Sequence, residues 1–383
     1  MTLRDRIRFD RNELAGAFGD IGTDLPLIVG MILAARLDSA SVLVMFGSMQ
    51  ILTGLVYGMP MPVQPLKAMA ALVIARQVTG DALLAGGLVM GVIMLVLSVT
   101  GLIEWLARVV PKTVVRGIQF GLGLQLAMLA VKDYVRADGT VGYVLAAVGL
   151  VITLVLLGNR RFPAALFVIA VGVVYAAFFK INFAAVAGGI GLRLPQIHAV
   201  TWDALLTGLV VLAIPQLPLS LGNSILATRQ VAEDFFPDRK LSIRQISFTY
   251  AAMNLINPWF GGVPTCHGSG GLAGHYTFGG RTGGSVVIYG LMYLTLGLFF
   301  SGSFAEVIEV FPKPILGVIL AFEGLALLLL VRDIGGSKRD LFIAMLVGLM
   351  CVGLPYGYAV GLLAGVAMVY GWRREETDHR HPA

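Results

Sequence analysis

Polar side chains that could bind an anion lie in a proline-rich segment, GMPMPVQPLKAMAALVI (58–74). Its prolines have no amide donor and exclude helix, so we expect an extended stretch and then a short helix that begins near Gln64 or Pro65. Lys67, one turn into that helix, would offer a positive charge, and Gln64 a neutral hydrogen-bond donor. Because a cation inside an apolar segment is costly without a partner, Lys67 should contact either a bound anion or a carboxylate.

A second segment, GGVPTCHGSGGLAGHY (261–276), has a glycine-rich turn in place of the prolines. Gly268 and Gly270 would let backbone N–H groups approach an oxyanion, and Ser269 would add a hydroxyl donor between them. His267 could hydrogen-bond a substrate, titrate with a coupled proton or serve only the structure. The N-termini of both short helices would carry partial positive charge, which favours an anion where they meet.

Further polar residues lie in apolar stretches outside these two segments, and more than one role is open for each. Gln216 and Asn223 could line the same cavity, although hydrogen bonds between helices are the usual role of such residues. Asp20 and Asp24 could pair with Lys67 or cap a helix. The candidate sites for a coupled cation, with H⁺ the expected ion, are Asp20, Asp24 and Glu323.

The composition indicates a membrane protein. The 383 residues are 57% hydrophobic and 13% charged, whereas a soluble domain has roughly 25% charged residues. A spanning helix needs about 20 apolar residues, so the chain has room for about 14 spans and little else. Despite a net charge of +6, the basic residues form no stripe, which argues against nucleic-acid binding.

An enzyme is not expected, and neither is a cofactor or a metal. The sequence shows no nucleophile–base pair, no cluster of metal ligands and no Walker A motif. The string GSGGLA (268–273) fits the dinucleotide-binding pattern G-x-G-x-x-A, but it has no βαβ context and no acidic residue about 20 positions later. We therefore retain only its physical property, which is close approach of backbone amides.

Apolar windows predict fourteen spans, and the third and tenth are the two interrupted segments described above. With the N-terminus in the cytoplasm, basic residues divide roughly 19 to 7 in favour of the cytoplasmic side, so both termini are predicted to be cytoplasmic. The windows are 14–35, 39–58, 62–78, 82–107, 111–131, 141–158, 163–179, 203–228, 242–258, 264–280, 284–302, 312–331, 339–354 and 356–372.

Three motifs recur in the same order in the two halves of the chain. Their offsets of about 192, 204 and 201 residues predict two seven-span repeats, 1–192 and 193–383. An odd number of spans inverts the second repeat in the membrane, which is typical of secondary transporters. The matches are TDLPL (23–27) with PQLPL (215–219), GMP (58–60) with GVP (262–264), and PKTVVRGIQFGLGL (111–124) with PKPILGVILAFEGL (312–325).

Four strings carry a resemblance to a known family: GDIGTDLP, PMPVQPLKAMAA, PQLPLSLGNSILA and CHGSGGLAGHYTFGGRTG. They resemble the molybdate transporter family related to the sulfate permeases, over nearly the whole chain. The resemblance implies the all-α fold of seven plus seven inverted spans that sulfate permeases share with uracil permease-type carriers. A core domain (spans 1–4 and 8–11) would move against a gate domain (spans 5–7 and 12–14). No C-terminal soluble domain is expected, and the fold is compatible with a homodimer in membrane lipid.

The resemblance also implies a function, which is import of the tetrahedral dianion molybdate across the inner (cytoplasmic) membrane by alternating access. The anion would lie between the half-helix N-termini of spans 3 and 10. Tungstate and sulfate have the same shape and charge, so both stay open as substrates. A nucleobase transporter is less favoured, because Gln216, His267 and Ser269 stand where that family usually has acidic side chains. An anion channel is also less favoured, although broken helices would suit it.

Overall fold

The computed structural model describes residues 6–74, 78–157, 159, 162, 164–304 and 311–378. This part of the chain is largely helical and contains one pair of two-residue strands. Some basic residues that contribute to the predicted orientation lie outside the described residues, and they are Arg4, Arg76, Arg160, Arg161 and Arg380.

Side-chain caps fix several helix starts in the first half of the chain. Asp38 accepts a hydrogen bond from the Ser41 N–H, and Thr79 accepts one from the Ala82 N–H. The elements are α1 (Arg11–Ala17), α2 (Ile21–Ala35), α3 (Ser39–Tyr57), β1 (Gln64–Pro65), α4 (Lys67–Ile74), α5 (Gly80–Thr100), α6 (Leu102–Val109), α7 (Lys112–Leu129, continued by a π-helical turn, Ala130–Tyr134), α8 (Gly139–Leu156), α9 (Ala164–Phe179) and α10 (Phe183–Gly188).

The second half contains helices of the same kind, and π-helical turns (Gly208–Ala213 and Ser220–Ala227) join three of them into one long rod. Ser242 caps the helix that follows it by accepting from the Gln245 N–H. The elements are α11 (Trp202–Thr207), α12 (Ile214–Leu219), α13 (Thr228–Phe235), α14 (Ile243–Ile256), β2 (Thr265–Cys266), α15 (Ser269–Thr277), α16 (Gly284–Phe299), α17 (Lys313–Leu329, continued by a 3₁₀ turn, Leu330–Ile334), α18 (Lys338–Gly353) and α19 (Gly357–Asp378).

Seven helical stretches among the described residues are long and apolar enough to cross a membrane. Each of the fourteen predicted windows contains helical residues, while the fourteen-span arrangement itself stays a prediction. Large apolar side chains face outward on α8 and α9, where Phe178 is 78% exposed. The seven stretches are Arg11–Ala35, Ser39–Tyr57, Gly80–Thr100, Lys112–Tyr134, Gly139–Leu156, Trp202–Phe235 and Lys313–Ile334.

Glycines bring pairs of helices into backbone contact. A Cβ atom built on Gly123 of α7 would lie 2.6 Å from the Gly324 carbonyl oxygen of α17, and one on Gly324 would lie 2.7 Å from the Gly123 oxygen. Gly47 of α3 and Gly290 of α16 meet in the same reciprocal way, at 2.5 Å. Small residues at such crossings allow the close packing that stabilises helix pairs within a membrane.

Candidate anion site

The two interrupted segments meet in the interior of the molecule. Strand β1 pairs antiparallel with β2, which sets Gln64 opposite Cys266 and Pro65 opposite Thr265. The helices α4 and α15 begin just after these strands, at opposite ends of the antiparallel pair, so the two helices run in opposite directions from it. Each N-terminus directs partial positive charge toward the pair of strands, which is the arrangement that favours an anion.

The first helix of this pair starts later than the sequence predicts. It begins at Lys67, not near Gln64 or Pro65, and Lys67 is therefore its first residue and does not lie one turn inside it. Two causes extend the strand: Pro65 has no N–H, and the N–H of Leu66 donates to the Pro264 carbonyl oxygen at 3.0 Å. The ammonium group consequently lies at the helix end that faces the site.

Two buried amide side chains hold the non-helical backbone beside the site. Gln50 donates to the Val63 carbonyl oxygen at 2.8 Å and accepts from the Val63 N–H at 3.1 Å. Asn254 does the same for Thr265, at 2.5 Å and 3.0 Å. Backbone groups buried away from water need hydrogen-bond partners. These two side chains therefore act as backbone clamps, which stabilise non-helical backbone in the interior of the protein.

Gln64 lies between α2 and the glycine-rich turn. Its Nε2 donates to Asp20 Oδ1 at 2.6 Å, and both side chains are fully buried. Gly268 and Gly271 leave the necessary space, because a Cβ atom at Gly268 would overlap Gln64 Oε1 and one at Gly271 would overlap Asp20 Oδ2. Glycine at these two positions thus allows an amide and a carboxylate to lie directly against the backbone of α15.

Gln216 and Asn223 act here through hydrogen bonds between helices. Gln216 Oε1 accepts from the N–H groups of Ala68 and Met69, at 3.0 and 3.4 Å, and so caps the start of α4. Asn223 Oδ1 accepts from the Ser269 hydroxyl at 2.6 Å, at the start of α15. The long rod of the second half therefore supports both helix N-termini and takes part of their hydrogen-bonding capacity.

Both ring nitrogens of His267 have protein partners. Nδ1 donates to the Pro62 carbonyl oxygen at 3.0 Å, and Nε2 lies 2.7 Å from the Thr249 hydroxyl oxygen. The Thr249 hydroxyl also lies 2.5 Å from the hydroxyl of Tyr57, whose ring packs edge-on against the imidazole. In this conformation the imidazole connects the two interrupted segments and offers no free nitrogen to a substrate.

Several buried polar atoms at the site have no hydrogen-bond partner among the described residues. They are Lys67 Nζ, Gln64 Oε1, Asp20 Oδ2, both carboxylate oxygens of Asp24, and Glu323 Oε1. Glu323 Oε2 accepts from the Thr23 hydroxyl at 3.0 Å, which gives this carboxylate the partner that the sequence did not suggest. The three carboxylates and Lys67 interact electrostatically, yet the described residues form no Lys67–Asp20 or Lys67–Asp24 ion pair.

Lys67 also lines a cavity of about 690 Å³ that separates two groups of helices. One wall consists of Lys67, Leu72 and residues of the rod, including Pro215. The opposite wall consists of residues from α7, the end of α18, the turn that follows it and the start of α19, including Gln125 and Tyr358. The cavity thus leads to the start of α4 from one end of the molecule.

A family model described as "Molybdate transporter of MFS superfamily" matches residues 12–126 and 208–327, which is more than half of the chain. The chain belongs to the molybdate transporter family. It is therefore a multi-pass membrane transporter and not an enzyme. The matched ranges include both interrupted segments and all three carboxylates of the site.

Curated relatives of this transporter extend over most of its length. It is 35% identical to Molybdate transporter 1 of Arabidopsis thaliana, over 94% of this chain and 88% of the relative. The Arabidopsis Molybdate transporter 2 is 34% identical over 90% of this chain and 84% of the relative, and Molybdate transporter 1 of Chlamydomonas reinhardtii is 27% identical over 94% and 91%.

Solved structures share the fold of the transporter at low sequence identity. The transmembrane domain of the cyanobacterial bicarbonate transporter BicA is 16% identical, with a TM-score of 0.57 over 95% of this chain and 98% of that one. The murine anion transporter Slc26a9 in its inward-facing state is also 16% identical, with a TM-score of 0.60 over 98% of this chain and 70% of that one. The likeness establishes a SulP/SLC26-type fold.

Sequence reasoning missed several residues that build this transporter's site. Gln50 and Asn254 were not predicted, because single polar residues inside apolar helices are common. Their spacing of about 204 residues nevertheless matches the offset between the repeats. Thr23 and Thr249 matter only through partners that are distant in the sequence, Glu323 and His267. No local pattern indicates such pairs.

Proposed function

We propose that this protein imports molybdate as a secondary active transporter, with the anion held between the N-termini of α4 and α15. The observation that carries the proposal is the buried ammonium of Lys67, which has no hydrogen-bond partner among the described residues. A buried cation is costly unless it is paired, so a bound oxyanion, whose oxygen atoms accept hydrogen bonds, accounts for its retention. The curated relatives are named molybdate transporters, which favours molybdate among the oxyanions.

The proposal includes fourteen spans in two inverted repeats. Support comes from the paired backbone clamps, Gln50 and Asn254, which precede the two interrupted segments at the repeat offset. Gly123 and Gly324 also occupy equivalent positions of the two repeats and contact each other, as a pseudo-two-fold axis between α7 and α17 would require. The core would contain the site, and the gate would contain α7 to α9 and α17 to α19.

The net charge of the ionisable side chains at the site favours cotransport of the anion with protons. Three carboxylates and one ammonium would carry a net charge of −2 if all were ionised, and a dianion would be repelled. Uptake of protons by Asp20, Asp24 or Glu323 removes this repulsion, so anion binding and protonation strengthen each other. Entry of a dianion against about 100 mV also costs about 2.3 kcal/mol per charge, which co-transported cations offset.

The proposed location is the inner (cytoplasmic) membrane, with both termini in the cytoplasm. In this orientation the loop between α18 and α19 is external, so the cavity that leads to Lys67 opens outward. The described conformation would then be the one that receives the anion. Basic residues concentrate on the proposed cytoplasmic side, which supports this orientation.

Calorimetric titration of the purified full-length protein tests the proposal. Molybdate should bind tightly, and tungstate, sulfate and uracil should be titrated in the same buffer. Molybdate binding against which sulfate competes poorly would support the proposed substrate. Equal binding of sulfate would make the protein a general oxyanion permease. Binding of uracil without any oxyanion would contradict the anion site.

A further inference from the structure

The wall of the cavity opposite Lys67 carries a hydrogen-bonded pair of polar side chains. The Tyr358 hydroxyl of α19 donates to Gln125 Oε1 of α7 at 2.7 Å. Gln125 Nε2 donates in turn to the Cys351 carbonyl oxygen at 3.3 Å. A carboxamide nitrogen has two hydrogens, so this contact uses one donor and leaves the second for another acceptor.

Helix α7 lies directly against the site. A Cβ atom built on Gly270 would lie 3.5 Å from Leu126 Cδ1, in ordinary contact. Gln125 is the next residue along this helix, and it faces the cavity that also contains Lys67. Most of the remaining lining is apolar, with residues such as Leu72, Val210 and Pro218. Few polar groups are therefore available on this side, and such groups usually orient a ligand in a mostly apolar pocket.

We propose that Gln125 and Tyr358 form the gate-side half of the anion site and determine which oxyanion is accepted. This inference rests on the proposed function, in which Lys67 and the helix N-termini hold the anion from the core side. An oxyanion bound there presents its outer oxygens to the opposite wall, where the free N–H of Gln125 donates to them. Tyr358 fixes the orientation of that amide through the 2.7 Å hydrogen bond.

In this proposal, selection between oxyanions depends on the separation of Lys67 and Gln125 when the anion is bound between them. Molybdate is larger than sulfate because its bonds from the central atom to oxygen are longer. The larger anion reaches Gln125 while it remains in contact with Lys67, and the smaller anion loses one of the two contacts. A donor left without its acceptor in a buried site is the usual source of strong discrimination between similar substrates.

Gln125→Glu tests the role of the amide. The substitution keeps the size of the side chain and the acceptor for Tyr358, but it removes the donor and places negative charge opposite Lys67. Calorimetric titration of the full-length protein with molybdate should show a loss of affinity of at least about tenfold. Wild-type affinity in this variant would overturn the assignment of Gln125.

Tyr358→Phe tests selectivity separately and remains decisive if Gln125→Glu does not fold. Without the hydroxyl, Gln125 loses its fixed orientation, so the ratio of molybdate to sulfate affinity should fall by at least about threefold. The matched control is Tyr356→Phe, the same chemical change at a side chain on the same cavity that is 73% exposed. This control should keep the wild-type ratio. An unchanged ratio in Tyr358→Phe, even with a lower melting temperature, would mean a purely structural role and overturn the inference.

Failure of this inference can be distinguished from failure of the proposed function. If Lys67→Met loses molybdate binding while Gln125→Glu and Tyr358→Phe bind like the wild type, the core-side site stands and the gate-side assignment is wrong. If the wild-type protein binds neither molybdate nor sulfate, the proposed function fails, and the gate-side assignment fails with it.

Discussion

Lys67 combines burial, positive charge and the absence of a hydrogen-bond partner among the described residues. We predict that Lys67→Met lowers the affinity for molybdate by at least about tenfold, because the substitution removes the buried side-chain cation at the start of α4. The fold should persist, since methionine fills a similar volume and no hydrogen bond is lost. Calorimetric titration measures the affinity, and a thermal melt in detergent monitors the fold.

Lys132 provides the matched control for this charge. It lies exposed on the π-helical turn after α7 and does not line the cavity, so Lys132→Met removes the same charge outside the site. Molybdate affinity should stay at the wild-type level in this variant. Equal affinity in both variants would show that Lys67 does not contact the anion.

Asp24 is the carboxylate best placed to carry a coupled proton. It is fully buried beside the carboxylate of Asp20, and neither of its oxygens accepts a hydrogen bond from a donor group among the described residues. We predict that Asp24→Asn, which cannot take up a proton, lowers proton-driven molybdate uptake into proteoliposomes by at least about tenfold. Wild-type uptake should rise as the external pH falls, and this dependence should flatten in the variant. A variant with the wild-type pH dependence would exclude Asp24 as the proton site.

The start of α15 shows how the backbone of one element positions the side chains of others. A Cβ atom on Gly268 would overlap Gln64 Oε1, although the backbone φ of −129° suits any residue. We predict that Gly268→Ala displaces Gln64 from Asp20 and weakens molybdate binding by about tenfold or more, since small misplacements in a built site are costly. Calorimetric titration measures the loss.

Gly336→Ala is the control for this substitution. No atom lies within 4 Å of a Cβ built at Gly336, so the added methyl group should leave binding unchanged. Wild-type affinity in Gly268→Ala would mean that the glycine-rich turn is not tightly packed around the anion.

The two interrupted elements could be located from the sequence because proline and glycine act locally. The prolines before Lys67, and Gly261, Gly262 and Pro264 before His267, exclude or weaken helix whatever lies around them. The exact helix start could not be predicted, because it depends on the hydrogen bond between Leu66 and Pro264, about 200 residues apart. The clamps formed by Gln50 and Asn254 depend likewise on which helices become neighbours.

Because roles depend on which helices become neighbours, more candidate site residues could be identified from the sequence than could be assigned a role. Gln216, Asn223 and His267 are all buried at the site. Their hydrogen bonds to Ala68, Ser269 and Pro62 make them supports for the two half-helices in this conformation. Residue type indicates that a side chain can bind an anion, whereas the fold decides whether its donors are already occupied.

At the scale of the whole molecule, charged side chains connect the proposed core and gate at the end opposite the cavity. Arg116 of α7 is 1% exposed and contacts Asp234 of α13 at 2.8 Å, and its Nε donates to Asp333 at 3.0 Å. Lys112 also pairs with Asp333, at 2.7 Å. Arg116 precedes Gln125 by nine residues, about 13 Å along the helix. The network therefore connects the proposed core and gate where the cavity does not reach.

Alternating access requires this connection to break without stranding a buried charge. Asp333 follows α17 and belongs to the proposed gate, as Arg116 does, so their pair can persist while Asp234 moves away with the core. A guanidinium that loses every partner in a buried position would cost several kcal/mol, whereas one that keeps a carboxylate does not. Loss of the Asp234 carboxylate should therefore shift the equilibrium from the conformation that is closed at this end toward the one that is open there.

We predict that Asp234→Asn opens the end of the molecule that holds Arg116. The reporter is Ala227→Cys, since Ala227 is fully buried and its carbonyl oxygen accepts from Gln119 of α7 at 3.1 Å. A membrane-impermeant maleimide is applied from the proposed cytoplasmic side. Labelling of this cysteine should be faster by at least about tenfold, because the loss of one buried charge pair shifts the equilibrium between the closed and open conformations by about a factor of ten or more. Glu233→Gln is the control, since Glu233 pairs with Arg229 within α13 and should leave labelling unchanged. Equal labelling in all three backgrounds would mean that Asp234 does not hold this end closed, and the opening of the transporter would have to depend on other contacts between α7 and the rod.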